Sequence, residues 1–279
     1  MKTPLAGPRK LTAPRLSRWT ASLWEWAFPQ GCALCGKTLR PGAEALYGLC
    51  APCGESLEAA WSVPVRCSRC GRELVSERGM CLSCRNGPER AFDGIFPLFP
   101  YSGPYRKILK AYKFGGRLSL GNFFAALLVR ALEERFGPLL AAGGREGRRA
   151  PHRTSGAADA AWAPVPPRPG KIKYHGWDQV EYLAGWLEKK HRRESGGVFT
   201  LPVCRCLERL PSESQKELDR EKRRLNLKGR IVLRTGRAVP RRAVLVDDVY
   251  TTGSTMDACA EALKRGGAEQ VYGICLCYD

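Results

Sequence analysis

Apolar positions along the second half of the chain recur with two periods. IFPLFPY (95–101) is a short, almost continuous apolar run of strand length, whereas GPYRKILKAYKF (103–114) and NFFAALLVRALEERF (122–136) repeat their apolar residues at helical spacing. Farther on, AWAPVP (161–166) reads as a strand, DQVEYLAGWLEKK (178–190) as an amphipathic helix and LPVCRCL (201–207) as a short strand. The last segment, 243–279, reads strand, loop, helix, strand; Met256, Cys259, Ala260 and Leu263 share the helix face, and Gly266-Gly267 closes it. Strands alternating with helices imply an α/β fold on a mainly parallel sheet with flanking helices. Two stretches break the pattern: AAGGREGRRAPHRTSGAADAA (141–161) has no apolar period and reads as an exposed insertion, and PRPGKIKYHG (167–176) reads as a basic loop.

Before Phe92 the pattern gives out, and residues 31–90 hold too few apolar side chains to fold unaided. Eight of the thirteen cysteines lie here, as four Cys-x-x-Cys pairs: Cys32 with Cys35, Cys50 with Cys53, Cys67 with Cys70, and Cys81 with Cys84. A two-residue gap lets two thiolates converge on one tetrahedral ion, so four such knuckles predict two structural Zn2+ sites, with the first knuckle joined to the second and the third to the fourth. Metal binding then supplies the folding energy. A disulfide framework is the competing reading; it needs an oxidising compartment. The first thirty residues show no secretory signal, so a cytoplasmic location with reduced thiols is expected. There Trp19, Leu23, Trp24, Trp26 and Phe28 fall at helical intervals and suit a docking helix, with a membrane-surface role as the alternative. The expected organisation is therefore a docking helix (1–30), a Cys-rich module (31–90) and an α/β domain (91–279).

A formal charge of +19 favours polyanionic partners, whether polyphosphates, nucleic acid or anionic surfaces, although a generally basic surface accounts for it equally. No apolar run is long enough to span a bilayer. Cys204, Cys206, Cys259, Cys275 and Cys277 read as small core residues.

The densest chemistry follows the apolar run Ala243–Val246. Asp247 and Asp248 come at the carboxyl end of that strand, where open α/β sheets bind ligands, and are expected to sit exposed there. They could ligate Mg2+, hold sugar hydroxyls or merely cap the strand. Thr251-Thr252-Gly253-Ser254-Thr255 then forms a hydroxyl-rich turn opening a helix, where backbone N–H groups and the helix dipole favour a phosphate. Lys171, Lys173, Lys216, Arg220, Arg223 and Arg224 are candidate cations for a pyrophosphate; His175 reads as a bystander.

VLVDDVYTTGST (244–255) resembles the signature of the type I phosphoribosyltransferases. The resemblance implies that Asp247 and Asp248 hold the ribose 2- and 3-hydroxyls of phosphoribosyl pyrophosphate and that Thr251, Thr252, Gly253, Ser254 and Thr255 bind its 5-phosphate, with Mg2+ as cofactor. More narrowly, the chain is similar to the ComF family, which joins a double zinc ribbon to such a domain. WAFPQGCALCG (26–36), the knuckles, Tyr112-Lys113-Phe114 and QKELDREKRRLN (215–226) carry the likeness. It departs at His175-Gly176-Trp177-Asp178-Gln179, where the family has Arg-Gly-aromatic-Asn-Gln, and at Ile231, where it has Phe. The family implies transfer of phosphoribosyl to a nitrogen acceptor or, alternatively, a non-catalytic competence factor whose partners are single-stranded DNA or competence and helicase proteins.

Overall fold

The computed structural model describes residues 30–59, 65–137, 158–193, 201–211 and 229–279. The aromatic segment before residue 30, most of the 141–161 insertion, and Lys216, Arg220, Arg223, Arg224 and Asn226 lie outside the described residues.

Two short helices, α1 (Ala43–Tyr47) and α2 (Ala51–Ala59), and a single turn, α3 (Leu82–Arg85), accompany the cysteines. Then come β1 (Gly94–Pro100), α4 (Gly103–Phe114) and α5 (Leu120–Ala131), which runs on through a wider turn to Phe136. After β2 (Ala160–Pro164), α6 (Lys171–His175) and α7 (Gln179–Arg193), a two-stranded antiparallel ribbon pairs β3 (Leu207–Arg209) with β4 (Ile231–Leu233). The chain finishes with β5 (Arg242–Tyr250), α8 (Ser254–Arg265) and β6 (Gln270–Tyr278).

The main sheet has the order β1-β6-β5-β2 with all pairs parallel, so β5 is flanked by strands on both sides. Successive β5 residues face opposite sides of the sheet. Val244 and Val246 enter the core built with α4, α5 and α7, whereas Ala243 and Leu245 enter the core beneath α8 and the ribbon. That alternation fixes the sides of the two acids: Asp248 belongs with the first face and Asp247 with the second.

The expected elements are present, with three differences. The supposed basic loop closes into α6, whose ends are the left-handed glycines Gly170 and Gly176. LPVCRCL makes only an isolated bridge from Val203 to Trp162, and the regular strand begins at Leu207. Finally, β5 extends past both acids because it stays paired with β6 as far as Tyr250, opposite Tyr278.

Low apolar content does not keep the first cysteine unit apart. Leu39, Tyr47, Leu49 and Leu57 are buried in the same core as α5. Tyr47 meets Phe123 edge-on at 6.3 Å, and Asn122 Nδ2 donates to the Leu46 carbonyl. The apolar surface this unit lacks internally is supplied by α5. Among the described residues no helix is long and apolar enough to cross a membrane. Cys206, Cys259, Cys275 and Cys277 are buried core residues, as expected, and Cys204 is half-buried.

Candidate functional site

The eight knuckle cysteines form two groups, Cys32/Cys35/Cys50/Cys53 and Cys67/Cys70/Cys81/Cys84, each with its sulfurs within 4.8 Å of one another. Four thiolates at about 2.3 Å from a tetrahedral Zn2+ stand about 3.8 Å apart. The Cys35–Cys50 and Cys70–Cys81 sulfurs lie 3.7 Å apart, so both groups fit zinc, in the sequential pairing. The two are built alike. Gly36 and Gly71, at φ +79° and +66°, return their N–H groups to the Cys32 and Cys67 carbonyls and close each first knuckle. Burial pushes the Cys32 and Cys67 thiols up, but backbone N–H groups around them prevail and draw them down to about 6 and about 7. One thiolate per group is thus available as a first ligand.

The acids lie deeper than a strand end suggests. Asp248 is buried and Asp247 half-buried, contrary to the exposed pair expected, because β5 continues through them and helices close over both faces. On one face, Asp248 Oδ2 pairs with Lys113 Nζ at 2.9 Å and accepts from Gln179 Nε2. On the other, Asp247 accepts the Asp248 N–H at 2.8 Å. Burial first, and the neighbouring Asp248 carboxylate second, push Asp247 up to about 8.

Tyr112-Lys113-Phe114 ends α4 at this point. The Tyr112 hydroxyl donates to the Gln179 carbonyl at 2.6 Å, and its ring meets Trp177 edge-on at 5.6 Å. Lys113 holds Asp248, and Phe114 stands exposed at the mouth of the cleft. Asp178 occupies the family's Asn position and caps α7, accepting the Val180 and Glu181 N–H groups at 2.9 and 3.0 Å. Asn or Asp serves equally as such a cap. The extra charge of Asp is matched by Lys171, whose Nζ lies 2.6 Å from Asp178 Oδ2.

A cleft of about 710 Å³ brings together Asp247, Asp248, Thr255, Lys171, Lys113, Arg168 and Arg209. Lys173 is exposed on α6 and does not line it; His175 does. The turn itself has a second side. Thr251, Thr252 and Ser254 line a groove of about 860 Å³ against the second cysteine group, together with Arg69, Arg72 and Arg90. Gly253, at φ +77°, caps α8. Arg90 reaches across to donate to the Thr252 carbonyl at 3.0 Å while pairing with buried Asp257 at 3.2 Å. Carbonyl and following N–H point in opposite directions from a trans peptide plane. Fixing the Thr252 carbonyl therefore fixes the direction of the Gly253 N–H.

Lys113, Gln179, Arg90 and Arg209 were not singled out from sequence. Lys113 and Gln179 carried a signal, inside Tyr112-Lys113-Phe114 and at the end of the 175–179 segment; Arg90 and Arg209 reach the site through tertiary contacts that no local spacing encodes.

Residues 23–85 match the double zinc ribbon domain family. Along most of its length the chain is similar to competence protein ComFC of Streptococcus pneumoniae, 24% identical over 86% of this chain and 96% of that protein. Competence protein F of Haemophilus influenzae is 27% identical over 81% of this chain and 90% of its own length. DNA utilization protein YhgH of Escherichia coli O6:H1 is 27% identical over 89% and 97%. With both cysteine groups formed and a parallel α/β sheet following them, the chain is similar to these competence and DNA-utilization proteins along most of its length.

Proposed function

We propose that the cleft binds phosphoribosyl pyrophosphate and that the protein transfers its phosphoribosyl group to a nitrogen acceptor. The observation that carries this reading is the meeting, in one cleft, of a carboxylate pair, Thr255 from the hydroxyl-rich turn that opens α8, and cations from three separate segments, Lys113, Arg168 with Lys171, and Arg209. Asp247 and Asp248 take the ribose hydroxyls, the 251–255 turn takes the 5-phosphate, and Lys171 flanks the pyrophosphate; Lys173 and Arg223 remain candidates for its outer oxygens. Two acids, one already engaged by Lys113, make a poor protein-only cation site. Mg2+ fits better as an ion brought on the pyrophosphate, as is usual for this ion. There it would stabilise the charge that develops on the leaving group. An acceptor nitrogen attacks C1, the bond from C1 to the pyrophosphate oxygen breaks, and pyrophosphate leaves with that electron pair. Fixed cations that face the leaving group lower the barrier without moving during the reaction.

A second reading keeps the binding and drops the turnover: a competence or DNA-uptake factor that contacts single-stranded DNA or competence and helicase proteins through its zinc-binding region. The names of the relatives and the +19 charge favour it. Incubation with phosphoribosyl pyrophosphate, Mg2+ and a panel of bases, following pyrophosphate release alongside ligand-induced thermal stabilisation, separates the two. Release that depends on one base supports transfer; stabilisation without release supports the binding factor, and a salt-dependent affinity for single-stranded DNA strengthens it.

A further inference from the structure

The two cysteine groups stand in unlike places. The first packs with Tyr47, Leu49 and Leu57 on the α5 side of the main core, and none of its four cysteines lines the groove or the cleft at the turn. The second group reaches the turn directly. Cys70, Cys81 and Cys84 line the 860 Å³ groove together with Thr251, Thr252 and Ser254. The small core of Cys67, Cys70, Leu74 and Cys81 also takes in Tyr250, the residue that ends β5 and immediately precedes the turn. From that seat the Tyr250 hydroxyl end lies over Gly253, so close that a Cβ there would stand 2.7 Å from the oxygen. Glycine populates either sign of φ about equally, so its neighbours decide which one Gly253 takes. A second tie runs beside the first. The segment leaving Cys84, whose carbonyl accepts from Arg69 Nη1 at 3.3 Å, carries Arg90 to the Thr252 carbonyl and to Asp257 in the first turn of α8.

We propose that Tyr250 and Arg90 are positioning residues that make ligand binding at the 251–255 turn depend on zinc in the second cysteine group and not on zinc in the first. This coupling rests on the reading of the turn as the 5-phosphate site and adds a means of controlling it. Four thiolates drawn together hold the wall on which the Tyr250 ring rests, and they fix the start of the segment that delivers Arg90. When the thiolates separate, the ring and the guanidinium lose those seats, and the N–H groups of the turn no longer converge on one point. β5 stays paired with β2 and β6, so the sheet outlasts the order of the turn. Coupling between two binding events is reciprocal, so a ligand in the turn tightens zinc in the second group by the factor that this zinc tightens the ligand.

Reciprocity gives a test on the wild-type protein loaded with two zinc ions. Zinc is withdrawn with a graded chelator, with and without saturating ribose 5-phosphate, and zinc remaining on the protein is measured. One ion should be held at least about fivefold more tightly in the presence of ribose 5-phosphate, the lower end of coupling between sites, and the other should be unchanged. In Cys84→Ser the protection should be absent, and ribose 5-phosphate affinity by calorimetry should fall at least about fivefold. Tyr250→Leu, which keeps all eight cysteines, should still load two zinc ions and lose most of the coupling, while Tyr250→Phe, which keeps the ring, should retain most of it. Binding of ribose 5-phosphate with both ions protected equally, or neither, would overturn the coupling and leave the reading of the turn standing. Undiminished protection in Tyr250→Leu would do the same. Wild-type protein that binds no ribose 5-phosphate would remove the reading of the turn, and the coupling with it.

Discussion

Replacing Gly253 by Ala tests the shape of the turn in a way that needs no ligand to begin with. Gly253 sits at φ +77°, where an L side chain costs about 1–2 kcal/mol. A Cβ there would lie 2.7 Å from the Tyr250 hydroxyl and 2.9 Å from its ring. The ring has little room to retreat, since it packs edge-on against Phe92 at 6.5 Å and against the second cysteine group. Forced repacking of that kind adds about 1–3 kcal/mol. Together the two terms amount to about 2–5 kcal/mol, a fall in melting temperature on the order of 10 °C for a protein of this size. If the turn instead relaxes by rotating the 252–253 peptide, it breaks the Arg90 bond to the Thr252 carbonyl and misdirects the Gly253 N–H. Stability is then partly recovered and ribose 5-phosphate affinity is lost. Thermal melts and calorimetry on one sample distinguish the two routes. A variant that melts within about 1 °C of wild type and binds ribose 5-phosphate equally well would refute both the strain and the role of the turn.

Three further outcomes follow from the site. Because Asp247 is held up to about 8 in the folded chain and titrates near 4 when unfolded, the native state binds the extra proton between those values. Its contribution to stability is therefore present below about pH 4 and lost as pH rises towards about 8; Asp247→Asn should flatten that part of the melting-temperature profile, and an unchanged slope would show that Asp247 is not the group responsible. Lys113→Met should cost about 1–3 kcal/mol in urea denaturation, less than for a fully buried pair because Lys113 is 21% exposed, and adding Asp248→Asn should restore most of it; simple additivity would mean the pair is not coupled. Elemental analysis should find two zinc ions per chain and one in Cys84→Ser, with Cys35→Ser lowering the melting temperature more, because the first cysteine unit shares the main core.

The parts of the fold read from sequence were those with a local cause. Apolar period and Gly-Pro punctuation located α4 as Gly103–Phe114, and glycines closed α8 after Arg265. Cysteine spacing gave the metal groups because a knuckle is a local structure. What sequence could not supply were contacts between distant segments. The docking of Tyr47 on Phe123 and the reach of Arg90 to Thr252 each join residues more than seventy positions apart. The depth of Asp247 and Asp248 was missed for a related reason. An Asp-Asp pair usually marks a solvated turn, and only the pairing of β5 with β6 beyond it shows that the strand continues. Likewise α6 escaped notice because five residues between two glycines are too short for any period to appear.

Asp247, Asp248 and the turn beside them are proposed as a phosphoribosyl pyrophosphate site. The assignment is tested most directly by titrating phosphoribosyl pyrophosphate with Mg2+ into wild-type protein and into the double variant Asp247→Asn with Asp248→Asn, after both are shown to carry two zinc ions and to melt cooperatively. Saturable binding to the wild type and none to the variant is the expected result. Equal affinity in the two proteins, or no binding by the wild type, would contradict it.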